Sequence, residues 1–187
     1  MGAYIKMDLF STTPPEAIAH SVELYTRRFL IQGTIHGPFK RTTDMMNRRE
    51  PAFLLVRDAS ITPIGQTEPK KRSTPIMVRR SQVQFASIIP QDTGTSALSQ
   101  NMAGGPREYA VKKVPHPCYA LTDVFVVHGF CHLLEGSKLD NLLEAPDMFI
   151  PLTGATIYLV ARPATSWKRD LVIVNKEYIE VMYLAEA

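Results

Sequence analysis

Only two cysteines, Cys118 and Cys131, occur in 187 residues. That excludes a disulfide framework as the source of stability and points to a reducing compartment. No apolar run approaches the ~18 residues that a membrane-spanning helix needs. The opening stretch, MGAYIKMDLFSTTPPEA, has no apolar region of the kind a secretory leader carries. Gly2 is not followed by the hydroxyl residue that myristoylation wants, since Lys6 stands in its place. The expected setting is cytoplasmic, with no membrane partner. Catalytic words are missing as well: there is no G-x-S-x-G, no H-E-x-x-H and no phosphate-loop motif. Catalysis needs a constellation of groups. The expectation is a protein that is not an enzyme and carries no cofactor.

What the chain has is a repeat. Phe29–His36 reads FLIQGTIH, and Phe125–His132 reads FVVHGFCH. Phe29, Gly33 and His36 recur as Phe125, Gly129 and His132, each 96 residues later. At that offset, Val22 to Ile61 holds eight identities in forty positions. Ordinary residue frequencies would give about two or three. Thr26 meets Thr122, Asp44 meets Asp140, Phe53 meets Phe149 and Ala59 meets Ala155. The register returns where MVRRSQVQF lies over IVNKEYIEV. Two diverged copies of one domain are expected, because a fixed internal period marks repeat architecture. Copy one spans residues 22–89 and copy two spans 118–187. Residues 90–117, rich in Gly, Ser and Pro, read as a linker. Residues 1–21 form an N-terminal segment in which TPPE signals a short helix over 14–21.

The two copies differ in charge. Residues 22–85 hold twelve Lys and Arg against five Asp and Glu, a balance of +7. Residues 118–181 hold five against eight, a balance of −3. Complementary fields of this kind steer association.

Within a copy, residues 22–36 alternate apolar and polar, the period-two pattern of one half-buried strand. Gly33 and Gly129 fall inside that strand, where glycine marks a bulge or a close backbone approach. RTTDMMNRREP and GSKLDNLLEAP read as short helices, the second with Ser137 and Asp140 in capping-box spacing. FLLVRDASITPI and FIPLTGATIYLV each read as two strand pieces pivoting on Arg57-Asp58 or Thr153-Gly154. Two short strands around RRS or NKE close each copy. The fold class expected is mainly β with short helices: two tandem small β-barrels, Sm-like or SH3-like, in pseudo-twofold arrangement.

This order resembles the Sm-like fold, a ring-forming RNA-binding family. VRRSQV at Val78–Val83 is similar to its second signature, with Arg80 where the family has glycine. VNKEYI at Val174–Ile179 resembles the bacterial branch, which has a lysine in that turn. DMMN at Asp44–Asn47 resembles the first signature, one residue short; the second copy offers DNLL without the asparagine. The G-x-x-H, D-x-x-L and F-x-P-L-x-x-A words are also similar to uncharacterised bacterial β-rich domains.

Three groups of side chains are candidates for function. The first is basic: Arg48, Arg49, Lys70, Lys71, Arg72, Arg79 and Arg80 lie in expected loops and turns, where phosphate contacts favour such groups. Phe39 is the one stacking aromatic nearby. The second is apolar. Val124, Val126 and Phe130 replace Arg28, Leu30 and Thr34 and leave the second copy's strand apolar on both faces, so something should cover it. The third is His116, Cys118, His128, Cys131 and His132; without a C-x-x-C pair, structural roles are favoured over a metal site. Recurring His36 and His132 likewise read as strand-end hydrogen bonds. The sequence points to a scaffold or assembly module that binds a protein partner or itself, with nucleic-acid binding through the basic copy as the alternative.

Overall fold

A computed structural model describes residues 17–71, 75–89 and 112–185. Its eleven antiparallel strands belong to one sheet, with two short helices packed on it. In the first half, β1 (Ile18–Thr26) and β2 (Phe29–Gly37) form a hairpin. Helix α1 (Thr42–Asn47) leads to β3 (Phe53–Pro63). Then come β4 (Lys70–Lys71) and β5 (Ile76–Arg79), a 3-10 turn (Arg80–Gln82) and β6 (Val83–Ile88). The second half repeats the order: β7 (Lys113–Leu121), β8 (Phe125–Leu134), α2 (Leu139–Glu144) and β9 (Phe149–Leu159). It ends with β10 (Arg162–Asn175), a 3-10 turn (Lys176–Tyr178) and β11 (Val181–Leu184).

The strand path runs β11-β7-β8-β9-β10-β6-β1-β2-β3-β4, with β5 joined to β3. Each half therefore places its last strand beside its first, and the halves meet where β10 pairs with β6. The sheet is continuous rather than two sheets separated by a linker. The chemical cause lies in two short runs. LVIVN in β10 and VQFASI in β6 are buried at every position. Strands like these need cover on both faces. Alternate residues serve alternate cores: Leu171 and Ile173 of β10 pack with Val22, Leu24 and Met46, while Phe85 of β6 packs with Phe125, Ile157 and Val172.

Several local expectations change. Residues 22–36 are a hairpin, not one strand, because Thr26 Oγ1 accepts the Arg28 and Phe29 N–H groups and turns the chain. Thr122 does the same for Val124 and Phe125. Residues 18–21, expected as helix, are strand paired to β2; residues 14–16 lie outside the described residues. β7 begins at Lys113, so the last five residues of the expected linker are sheet. The cap of α2 is Lys138, whose N–H is accepted by Asn141 Oδ1, rather than Ser137 with Asp140.

The glycine expectation holds. Pairing of β2 with β3 shifts register between Gln32 and Thr34, and pairing of β8 with β9 shifts between His128 and Phe130. A Cβ on Gly33 would lie 2.6 Å from both the Arg57 carbonyl oxygen and Val56 Cγ1. Opposite these bulges sit the pivots, Asp58 with φ 50° and Gly154 with φ 56°.

Candidate functional site

The seam between the halves joins strands that are far apart in the chain. Val172, Ile173 and Val174 oppose Ser87, Ala86 and Phe85. Glu23 of β1 is buried beside it and takes both ends of the Arg169 guanidinium, Nε at 2.7 Å and Nη2 at 2.9 Å. Tyr25 and Ser87 hydroxyls and the Gln32 amide also donate to that carboxylate. Burial alone would raise the Glu23 pKa, but the bonds from Arg169, Ser87 and Tyr25, with the Arg169 charge, hold it below the usual value. Burial and the neighbouring Glu23 charge push the Tyr25 phenol well above its ordinary range. Around this pair, Asn47 exchanges two bonds with the Phe149 backbone, Asn175 donates to the Val83 carbonyl and Gln84 to Asp123. Tyr25, Phe85, Phe125 and Trp167 stack or meet edge-on beneath it.

The same surfaces are open at the two ends of the sheet. β5 is the counterpart of the β10 segment in the seam, and β11 is the counterpart of β6. Ile173 and Phe149 are 0% exposed, but their counterparts Met77 and Phe53 are 61% and 44% exposed. Phe85 and Ser87 are 0% exposed, but their counterparts Val181 and Tyr183 are 50% and 45% exposed. Apolar groups that the seam buries are partly exposed at these two ends.

The basic candidates divide. Arg49, Lys70 and Arg79 are exposed, Arg79 on the open β5 edge opposite Phe53. Lys71 ends β4, and Arg72 lies outside the described residues. Arg48 is exposed, with its guanidinium 5.8 Å from the Phe39 ring centre. Arg80 was expected at the surface but is 4% exposed. Its Nε and Nη1 have no partner among the described residues. Burial, then the charge of Arg48, lowers its pKa. In the second half Lys176 occupies this position, and its ammonium is bonded to the Leu143 and Ala145 carbonyls at the end of α2. Arg80→Met removes unpaired buried donors while keeping a long apolar stem. It should raise stability by about 1–3 kcal/mol, read as an upward shift of the urea midpoint; a loss of stability would show that the guanidinium is engaged.

Phe130 remains 41% exposed, and Val126 is half-buried. Val124 packs on the second core instead, because it sits in the turn before β8. The halves join where β10 pairs with β6, and Leu30 and Ile64 of the first half pack against the second core. Of the histidine and cysteine group, Cys118 and Cys131 point into the core, His128 stacks on Tyr119, and His132 Nε2 bonds Thr153 Oγ1 at 2.8 Å. No metal-ligand group forms among the described residues.

Sequence reasoning missed two features. One is the Glu23–Arg169 pair, 146 residues apart, for which no local pattern exists. The other is a ladder of stacked rings, Tyr183 on Tyr119 at 5.2 Å and Tyr119 on His128 at 4.4 Å, formed across β11, β7 and β8. The chain matches no protein-family model, no curated protein and no solved structure.

Proposed function

We propose that the protein is a non-catalytic assembly module, built from two diverged Sm-like small-barrel copies, whose molecules join head to tail through β11 of one and β5 of the next. The observation that carries this reading is the open state of both outer edges at positions the seam buries. Carrying the seam register over by 96 residues sets Ile76 opposite Tyr183, Met77 opposite Met182 and Val78 opposite Val181 of a neighbour. Each of Phe53, Met77, Val181 and Tyr183 covered in this way contributes ~1.5–3 kcal/mol against the cost of association.

Charge supports the same pairing. At the seam, Arg48, which follows α1, and Asp147 line one hollow. At the outer junction the corresponding residues are Glu144 of α2 and Pro51, which follows Arg48, Arg49 and Glu50. The acidic helix of one molecule then faces the basic edge of the next. A heterologous contact of this kind closes into a ring or continues as a filament.

Light scattering should give a mass well above the 21.0 kDa of one chain, and Met77→Lys or Tyr183→Lys should return it to one chain. Both side chains are exposed, so neither change disturbs the core. A wild-type protein that stays monomeric up to ~100 times the concentration of a micromolar complex would sink the proposal. Nucleic-acid binding by the first half is a second reading, favoured by Arg48 over Phe39. Retardation of single-stranded RNA at low salt that Arg48→Ala abolishes would support it.

A further inference from the structure

We infer that the cleft between the two halves at the start of β10 binds a small aromatic carboxylate, with Arg162 taking the carboxylate and Tyr25 and Trp167 taking the ring. The cleft follows from how the strands leave the sheet. β10 pairs with β6 only at Val172, Ile173 and Val174. Nearer its start it slips against β9: Arg162 opposes Leu159 and Ser166 opposes Tyr158, so Pro163, Ala164 and Thr165 stand out of the ladder. Proline has no N–H to give a ladder and belongs at such a place. On the other side, β3 of the first half ends in a turn, where the Gln66 N–H donates to the Pro63 carbonyl and Gly65 has φ 84°. Arg162 Nη1 donates to the Gly65 carbonyl at 3.3 Å and ties the two lips together. Between the lips is a cavity of about 380 Å³, within the ~300–1,000 Å³ range of small-molecule sites.

The lining sets the chemistry of the ligand. Leu30 and Ile64 of the first half and Leu159 of the second form apolar walls. Tyr25 and Trp167 also line the cavity, their rings 21° from parallel and 5.7 Å apart at the centroids. A flat apolar surface of this kind suits a second ring. Two arginines line the cavity and no carboxylate does. Arg169 is committed: Nε and Nη2 donate to Glu23, and Nη1 donates to the Lys168 carbonyl. Arg162 is exposed, and among the described residues no Asp or Glu lies within ion-pair distance of it. A guanidinium held by one bond to a carbonyl keeps donors for a planar carboxylate. No residue of β5 or β11 lines the cavity, so the site does not depend on head-to-tail joining.

Trp167 is the one tryptophan of the chain, so its emission reports this cleft. Phenylacetate is titrated against the full chain at constant ionic strength. Phenylacetamide, which has the ring without the charge, and acetate, which has the charge without the ring, are titrated beside it. Phenylacetate should change the Trp167 emission saturably, with a Kd of ~1 mM for so small a ligand. Phenylacetamide should bind about tenfold more weakly, as should phenylacetate to the Arg162→Gln variant. Acetate should give no saturable change. Broadening of the phenylacetate proton lines in NMR reads binding that leaves the emission unmoved. No saturable response by either readout would overturn the site. Equal affinity for acid and amide, an acetate response equal to that of phenylacetate, or wild-type affinity in Arg162→Gln would overturn it as well.

Discussion

Replacing Arg169 with methionine is expected to destabilise the fold by about 3 kcal/mol, the lower end of the ~3–5 kcal/mol for breaking a buried ion pair. Arg169 keeps 30% of its side chain exposed, and Glu23 keeps 5%. The loss therefore comes from stranding the carboxylate, not from the arginine. Changing Glu23 to Gln in the same chain should recover most of the loss, because the stranded charge is gone while Ser87 and Gln32 retain a partner. Urea unfolding of the two single variants and the double variant reads this directly. A double variant as weak as Arg169→Met would mean that packing, not charge, sets the cost.

The pair also makes the seam sensitive to acid. The folded Glu23 pKa is lowered, so its stabilisation is fully present above the ordinary carboxylate value. It is lost as pH falls below ~4.3 and through the folded pKa. Between pH 5 and 3, wild type should lose more stability than Glu23→Gln does.

Gly33→Ala should cost more than Gly129→Ala, although the two glycines occupy equivalent bulges. A new methyl at Gly33 would meet the Arg57 carbonyl oxygen and Val56 Cγ1 at 2.6 Å, and one of these contacts is backbone. At Gly129 the nearest atom is the Thr153 carbonyl oxygen at 3.0 Å, followed by Ala155 at 3.3 Å. Overpacking costs ~1–3 kcal/mol; Gly33→Ala belongs at or above the top of that range and Gly129→Ala near the bottom. Thermal unfolding of both would show equal losses only if β3 can retreat from β2 as freely as β9 retreats from β8.

Much of this was legible in the sequence. Gly33 and Gly129 announced their bulges because glycine inside an alternating strand has few other uses. The Thr153-Gly154 pivot stood out for the same reason, and Arg57-Asp58 by lying opposite it at the 96-residue offset. The 96-residue offset carried over to β3 and β9, and to the two 3-10 turns, without adjustment. The hairpin turns at Thr26 and Thr122 were hidden, since threonine also suits a strand interior and only its bond to the next turn's N–H groups shows the reversal. The edge-to-edge join was hidden more deeply. LVIVN and VQFASI read as short core strands, and nothing local tells whether the second face of such a strand is covered by its own half or another. Arg80 read as a surface cation because charged residues in turns are usually solvated. Its burial follows from the 3-10 turn tucked beside Ala52, whose carbonyl accepts the Arg80 N–H.

The most direct test of head-to-tail joining is a register-specific cross-link. One batch of protein carries Met77→Cys and another Met182→Cys, and the two are mixed and mildly oxidised. Cys118 and Cys131 are buried and do not compete. Directly opposed residues of an antiparallel pair lie ~4.5–5.5 Å apart at Cα, within disulfide reach. The account predicts a cross-linked dimer from this mixture in high yield, and little when Val181→Cys replaces Met182→Cys as partner. No cross-linked product, or equal yields from both mixtures, would contradict it.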